Sequence, residues 1–454
     1  MNEKDLPQPF GVDEINFSCC FSAPSLKLFG LLIVGWVLTV GKHTISRVIL
    51  TMDLHERGHF SSVYRFIAEG RWSADQVSSF LFRMLVRGFV GSGAEMEVIL
   101  DDTLYVKSGR KICGRGWQHD GSQPKGSKRR SYGVCFVVIG LAVRLEGIND
   151  RVFCLPFAAR MWWPVRAKVK PKSGLYKKKT ELGGELIELT ESWLEEGESL
   201  RVIGDIAYTC RTIIRGLSKR VHITGRARMD SAIHHLPECP IPRPQGRPRS
   251  KGPRMPTPAA MCRDPKLKWS ATEVHVYGKK VTVEFHRFFG VWPYVGGKEI
   301  FLFVLCRDPK GAYPDALFVD TDCSVAPEAV IERYASRWSI EMTFRETKQH
   351  LGAGDPQCRQ EGSVVRAPMF AYWAYCIVVL WFVSHYSKTS RIFIVKRPWY
   401  SHKKQITFSD MLALARRSHF MIRFSTESLS NSSSLEINET RFTRHPKYTE
   451  CAKL

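Results

Sequence analysis

The segment from Tyr132 to Val143, YGVCFVVIGLAV, is an uncharged run crowded with β-branched and aromatic side chains. Such side chains pack well on a pleated surface, so the run predicts a strand buried on both faces. A strand of that kind requires a sheet covered by helices, and the flanking sequence supplies both. Val98-Ile99-Leu100 predicts a short strand ending in Asp101-Asp102-Thr103, Arg151 to Phe157 a third, and Leu200 to Gly204 a fourth that terminates in Asp205. Between the third and fourth, Leu182, Leu186, Leu189 and Trp193 recur at spacings of 4, 3 and 4, the signature of an amphipathic helix over Thr180 to Glu196. The order strand, strand, strand, helix, strand defines an α/β class.

Residues 1 to about 95 read as helical. Candidate helices cover His43 to Leu54 and Ser61 to Gly70, and Ser73-Ala74-Asp75-Gln76 opens a third whose Val77, Leu81, Met84 and Leu85 share one face. Beyond Asp205, eight prolines fall between Leu236 and Pro258, with five basic residues and no acid from Arg243 to Arg254. Proline removes amide donors, so this stretch is expected to be a loop or an extended arm. Glu273 to Phe289 and Lys298 to Cys306 read as strands of a β-rich block. Ala326 opens a helix to about Leu351, an apolar helix follows from Phe370, and Ser425 to Leu454 is expected to be loose.

The chain of 454 residues carries 67 Lys+Arg against 44 Asp+Glu, a formal charge of +23, with 44% hydrophobic residues. That balance excludes a disordered polymer and points to a polyanionic partner, nucleic acid or an acidic membrane surface. The uncharged run Ala367 to Ser384 approaches bilayer length, but its tyrosines and tryptophans favour a buried core helix. Leu28 to Gly41 is shorter still, and its role is open. Thirteen cysteines without a C-x-x-C pair predict reduced thiols in a cytosolic protein, and the first residues show no secretory signal.

In YASRWSIEMTFRETK, Tyr334, Arg337, Glu341 and Lys348 fall within roughly 60° of one another on a helix. Trp338 and Phe344 bracket this stripe of phenol, guanidinium, carboxylate and ammonium. Asp101 and Asp205 end the first and fourth strands, and adjacency of those strands would set the two carboxylates side by side. Such a pair repels unless a cation neutralises it, and a Glu from a helix packed across the sheet completes an all-oxygen site for Mg²⁺ or Mn²⁺. Two such ions suit phosphodiester cleavage.

The spacing Tyr334-x2-Arg337-x3-Glu341-x6-Lys348 resembles the Tyr-Arg-Glu-Lys signature of DDE-type bacterial insertion-sequence transposases. IGDIAY around Asp205 and LDDTLYVKSG around Asp101 resemble the other two motifs of that group, the latter selecting Asp101 over Asp102. The resemblance implies a ribonuclease-H-like core over about 96 to 390 with a β-rich insertion at about 210 to 325, a helical DNA-end-binding domain over 1 to 95, and a partly flexible C-terminal region over 391 to 454. It implies that Asp101, Asp205 and Glu341 are catalytic and bind two Mg²⁺ or Mn²⁺ ions, while Tyr334, Arg337 and Lys348 hold DNA phosphates. Arg247, Arg249 and Lys251 of the proline-rich arm are further candidate contacts to the DNA backbone. The expected reaction is cleavage at transposon ends and transfer of the 3′ hydroxyl into target DNA, by a homodimer in the bacterial cytoplasm. Rivals are a nuclease without strand transfer and an inactive DNA-binding derivative. His119 and Asp120, in a basic Gly-rich loop, receive no role.

Overall fold

The computed structural model describes residues 10, 17–91, 93–121, 123, 129–167, 169, 171, 174–237, 249–387, 398–399 and 401–430, the last ten as backbone only. Four helices come first: α1 (Ala23–Leu38), α2 (Ile45–Thr51), α3 (Ser61–Glu69) and α4 (Ala74–Phe89). Ser73 caps α4 as its sequence predicts, its side chain accepting from the Gln76 amide. Four strands follow, β1 (Met96–Val106), β2 (Gly116–His119), β3 (Arg130–Leu145) and β4 (Asn149–Trp162), then α5 (Lys179–Glu191) and β5 (Leu200–Gly204). The chain continues through α6 (Arg211–Ile214), β6 (Val221–Ala227), α7 (Pro258–Arg263), β7 (Ser270–Val276), β8 (Lys279–Val291), α8 (Pro293–Gly296), β9 (Ile300–Arg307) and β10 (Ala316–Asp320). It closes with α9 (Pro327–Ser336), α10 (Trp338–His350), α11 (Glu361–Tyr386) and α12 (Phe408–Ser430).

All ten strands form one mixed sheet in the order β2-β3-β1-β5-β6-β10-β9-β8-β7, with β4 also paired to β3. The β1–β5 and β5–β6 pairs are parallel, and β1–β3 and β3–β4 antiparallel. This α/β arrangement of a large mixed sheet with helices is consistent with a ribonuclease-H-like fold.

Several boundaries depart from the sequence reading. β1 does not end at its aspartates but runs through them to Val106, because ladder partners Val138 to Gly133 on β3 keep its backbone paired. The stretch Glu273 to Phe289 is two strands, reversed by a two-residue turn in which Tyr277 and Gly278 both adopt positive φ, 54° and 76°. The helix expected from Ala326 to Leu351 tightens at Arg337: the Arg337 amide donates to the Tyr334 carbonyl and the Ile340 amide to the Arg337 carbonyl, both three residues back at 3.1 Å. Helix α12 reaches Ser430, so the first residues of the expected loose tail are helical. The rest of that tail lies outside the described residues.

Helix α11 is the buried spine of the helical layer. Phe370, Tyr372, Trp373 and Cys376 are wholly enclosed, and 83% of its apolar window is buried inside the protein. The apolar Leu28 to Gly41 stretch belongs mostly to α1, which packs on this spine: Trp36 stacks on Phe370 at 5.3 Å, and its indole N–H donates to the Leu351 carbonyl at 2.9 Å. Helices α1 to α4 therefore share one hydrophobic core with the sheet and α11.

Candidate active site

Parallel pairing of β1 with β5 brings Leu100 opposite Gly204, and Asp101 and Asp205 are the next residue on each strand. The two aspartates thus stand side by side, as adjacency of the strands predicts. Across the sheet face, the tightened turn at Arg337 aims its guanidinium at β1. Arg337 Nη1 donates to Asp101 Oδ2 at 2.7 Å and Nη2 to Glu341 Oε1 at 2.7 Å. One arginine, with its side chain only 16% exposed, so holds a carboxylate from a strand and a carboxylate from a helix on a single fork.

The adjacent aspartates have opposite fates because successive side chains of a strand leave opposite faces. Asp101 meets Arg337. Asp102 is held on the other side, where Lys179 Nζ donates to its Oδ2 at 2.6 Å, Cys135 Sγ to the same oxygen at 3.3 Å, and the Tyr208 hydroxyl to its Oδ1 at 3.2 Å. Asp102 is thereby a structural anchor between β1, β3, α5 and the turn after β5. Asp205 turns inward on its own loop, Oδ1 accepting the Ala207 and Tyr208 amides at 2.8 and 3.2 Å. Burial pushes the Asp101 carboxyl up to about 7, against the pull of Arg337 and with added repulsion from Asp205.

These groups line an open cleft of about 890 Å³ that also receives His119, Asp120, Phe344, Arg345, Lys348 and Asp355. Of the stripe expected on the helix, Arg337, Glu341 and Lys348 face this cleft. Tyr334 is not among its lining residues; its ring packs on Phe318 at 4.8 Å in a separate small core beneath β7 to β10. Trp338 points away toward Tyr277, ring centroids 5.6 Å apart. Arg249 and Lys251 are exposed and do not line the cleft, and Arg243 and Arg247 lie outside the described residues.

The sequence assigned no role to Lys179 or to the hydroxyl of Tyr208. Tyr208 had a signal, its fixed position three residues after Asp205. Lys179 had none, since its partner is 77 residues away. His119 and Asp120 enter the cleft because β2, too short to stand out in the sequence, pairs with the start of β3.

Among the described residues no three His, Cys, Asp or Glu side chains gather closely enough to hold a metal ion. The donor chemistry nevertheless suits a hard divalent cation: Asp101 Oδ2 and Glu341 Oε1 already converge on one positive group, and all the donors are oxygens. The fork of Arg337 stands where that cation's charge would be needed.

A family model described as DDE superfamily endonuclease matches residues 16–284, more than half of the chain. The match takes in Asp101 and Asp205 and stops before Arg337 and Glu341. No curated protein matches the sequence.

Proposed function

Because the chain belongs to the DDE superfamily of endonucleases, we propose that the cleft carries out metal-dependent cleavage at transposon ends and transfers the freed 3′ hydroxyl into target DNA. The observation that carries this reading is the convergence of Asp101, from a strand, and Glu341, from a helix, on Arg337 beside Asp205. A nuclease of this superfamily generally uses divalent metal ions. Here Asp101, Asp205 and Glu341 would hold Mg²⁺ or Mn²⁺, two ions in our reading, which would supply charge to activate a water or hydroxyl and to stabilise the leaving oxygen.

The protein's own residues prepare that event. Without DNA, Arg337 screens the repulsion between the carboxylates and keeps Glu341 against β1. A phosphate offers the guanidinium fork a second bidentate acceptor, so DNA arrival draws Arg337 off and frees Asp101 Oδ2 and Glu341 Oε1. Lys348, two helical turns beyond Glu341, adds a point charge for a neighbouring phosphate, and the Tyr334 hydroxyl a donor, its ring anchored on Phe318. Asp102, fixed by Lys179 and Tyr208, keeps β1 from shifting as Arg337 moves.

We assign DNA-end recognition to residues 1–95, catalysis to about 96–390 with a β-rich insertion at about 210–325, and assistance in end binding or pairing to 391–454, in a homodimer that joins two ends. The exposed Arg249 and Lys251, with Arg247, extend the contact to the DNA backbone. Strand transfer is tested by incubating the protein with pre-cut transposon ends, Mg²⁺ and a supercoiled plasmid. Covalently joined products are expected; cleavage of uncut ends without any joining would leave a nuclease that lacks transfer.

A further inference from the structure

The loop from β1 to β2 carries Lys107, Arg110, Lys111 and Arg115 and no acid. With the start of β3 it lines a shallow, open pocket of about 540 Å³ that shares Val106 with the catalytic cleft. Arg115 is only 7% exposed, yet among the described residues no carboxylate pairs with it. Its Nη1 donates to the Lys107 carbonyl at 3.2 Å, and its guanidinium lies over the Tyr132 ring, 4.0 Å from the centroid. A cation withdrawn from water without a counter-charge is costly, and an anion entering the pocket would relieve that cost. Lys107 stands beside it, its ammonium donating to the Gly354 and Pro356 carbonyls with a third proton left over.

The same pocket ends in an aromatic surface. Tyr132 packs against its cross-strand partner Trp117, centroids 5.2 Å apart, and Trp117 is 67% exposed on the edge strand. Trp117 and His119 alternate onto one face of β2, and His119 lines the catalytic cleft. A buried arginine that wants an anion, next to an exposed indole, matches a nucleotide whose base is free to stack. Bases inside a duplex are already stacked on each other and cannot cover an indole, whereas unpaired bases can.

We infer that this pocket is a subsite for single-stranded DNA, in which Arg115 and Lys107 hold a backbone phosphate and Trp117 stacks on an unpaired base of the strand leaving the catalytic cleft. Asp101 and Val106 are five residues apart on β1, about 17 Å at the rise of a strand, so the pocket opens within a few nucleotides of the catalytic aspartate. The inference rests on the reading of the cleft as a DNA-processing site, but its test needs no catalysis.

The full-length protein is titrated in EDTA against three fluorescein-labelled probes of about 12 units: a dT strand, an abasic strand that keeps the phosphates, and a duplex. We expect about tenfold tighter binding of dT than of the abasic strand. Trp117→Ala should abolish that preference, Trp117→Phe should keep it, and neither should change duplex affinity. Arg115→Gln should weaken both single strands and lower the salt slope by about one. Absence of the preference in the wild type, or its survival in Trp117→Ala, overturns the subsite. A wild type that cuts end DNA without the preference sinks the subsite alone, and one that shows the preference yet never cuts sinks the catalytic reading alone.

Discussion

Asp101 and Asp102 are chemically identical neighbours whose surroundings decide their use. Asp101 faces Arg337, Glu341 and Asp205, whereas Asp102 is held by Lys179, Tyr208 and Cys135. Asp101→Asn and Glu341→Gln should each reduce DNA cleavage by a factor of about 10³ or more, because each removes metal-binding charge, while end binding stays nearly intact. Asp102→Asn should keep cleavage within about tenfold of wild type, since a lost anchor shifts the strand without removing a ligand. Gel assays of cleavage and binding with the three variants check this; a dead Asp102→Asn beside an active Asp101→Asn would reverse the assignment. Arg337→Ala should lower the salt slope of DNA binding by about one unit. At this scale the helix stripe was readable, because a 3.6-residue period brings Arg337, Glu341 and Lys348 to one side. The pairing of Arg337 with Asp101 was not, since the two are 236 residues apart and only the fold brings them together.

Helix α10 works on two sides. Its cleft side carries Glu341 and Lys348; its other side packs on α11, where the Tyr375 hydroxyl donates to Glu346 at 3.4 Å. Burial pushes the Glu346 carboxyl up from 4.5 to about 7. A carboxyl raised on folding is fully accommodated while protonated, so its contribution is intact below about pH 4.5 and is lost as pH rises to about 7 and beyond. Urea unfolding should show stability declining over that window, and Glu346→Gln should reduce the decline by up to about 3 kcal/mol while leaving the part that buried Asp101 contributes. An identical pH profile in the variant would mean that Glu346 is solvated. Helix α11 itself was legible as a core helix from its aromatic content, and its Cys376 is fully enclosed. That thiol should resist maleimide in the native protein and react in urea; labelling at equal rates would show that the helix is not buried. Less legible were β6 and β10, short strands without strong periodicity, and the β7–β8 turn, whose Tyr277-Gly278 pair lacks the Asn-Gly or Asp-Gly signature of a type I′ hairpin.

Across the whole molecule, a surplus of 23 positive charges, an open cleft of acids flanked by arginine and lysine, and a basic loop leading out of it suit a polyanionic strand. The α/β class was legible because long β-branched runs are local signals, whereas the adjacency of the Asp101 and Asp205 strands entered only as a condition that the sheet order meets. The continuity of α1 to α4 with the core was not, because burial against α11 depends on contacts some 300 residues apart in sequence, such as Trp36 with Leu351. The cleft is proposed to cut DNA at defined ends with Glu341 as a required group. The direct measurement is incubation of the purified protein with the DNA that flanks its own gene and Mg²⁺, followed by mapping of the nicks at nucleotide resolution. Nicks that expose 3′ hydroxyls at the element boundaries, absent with Glu341→Gln and absent in EDTA, are the predicted result; nicks scattered without regard to the boundaries, or boundary nicks that persist in Glu341→Gln, would contradict it.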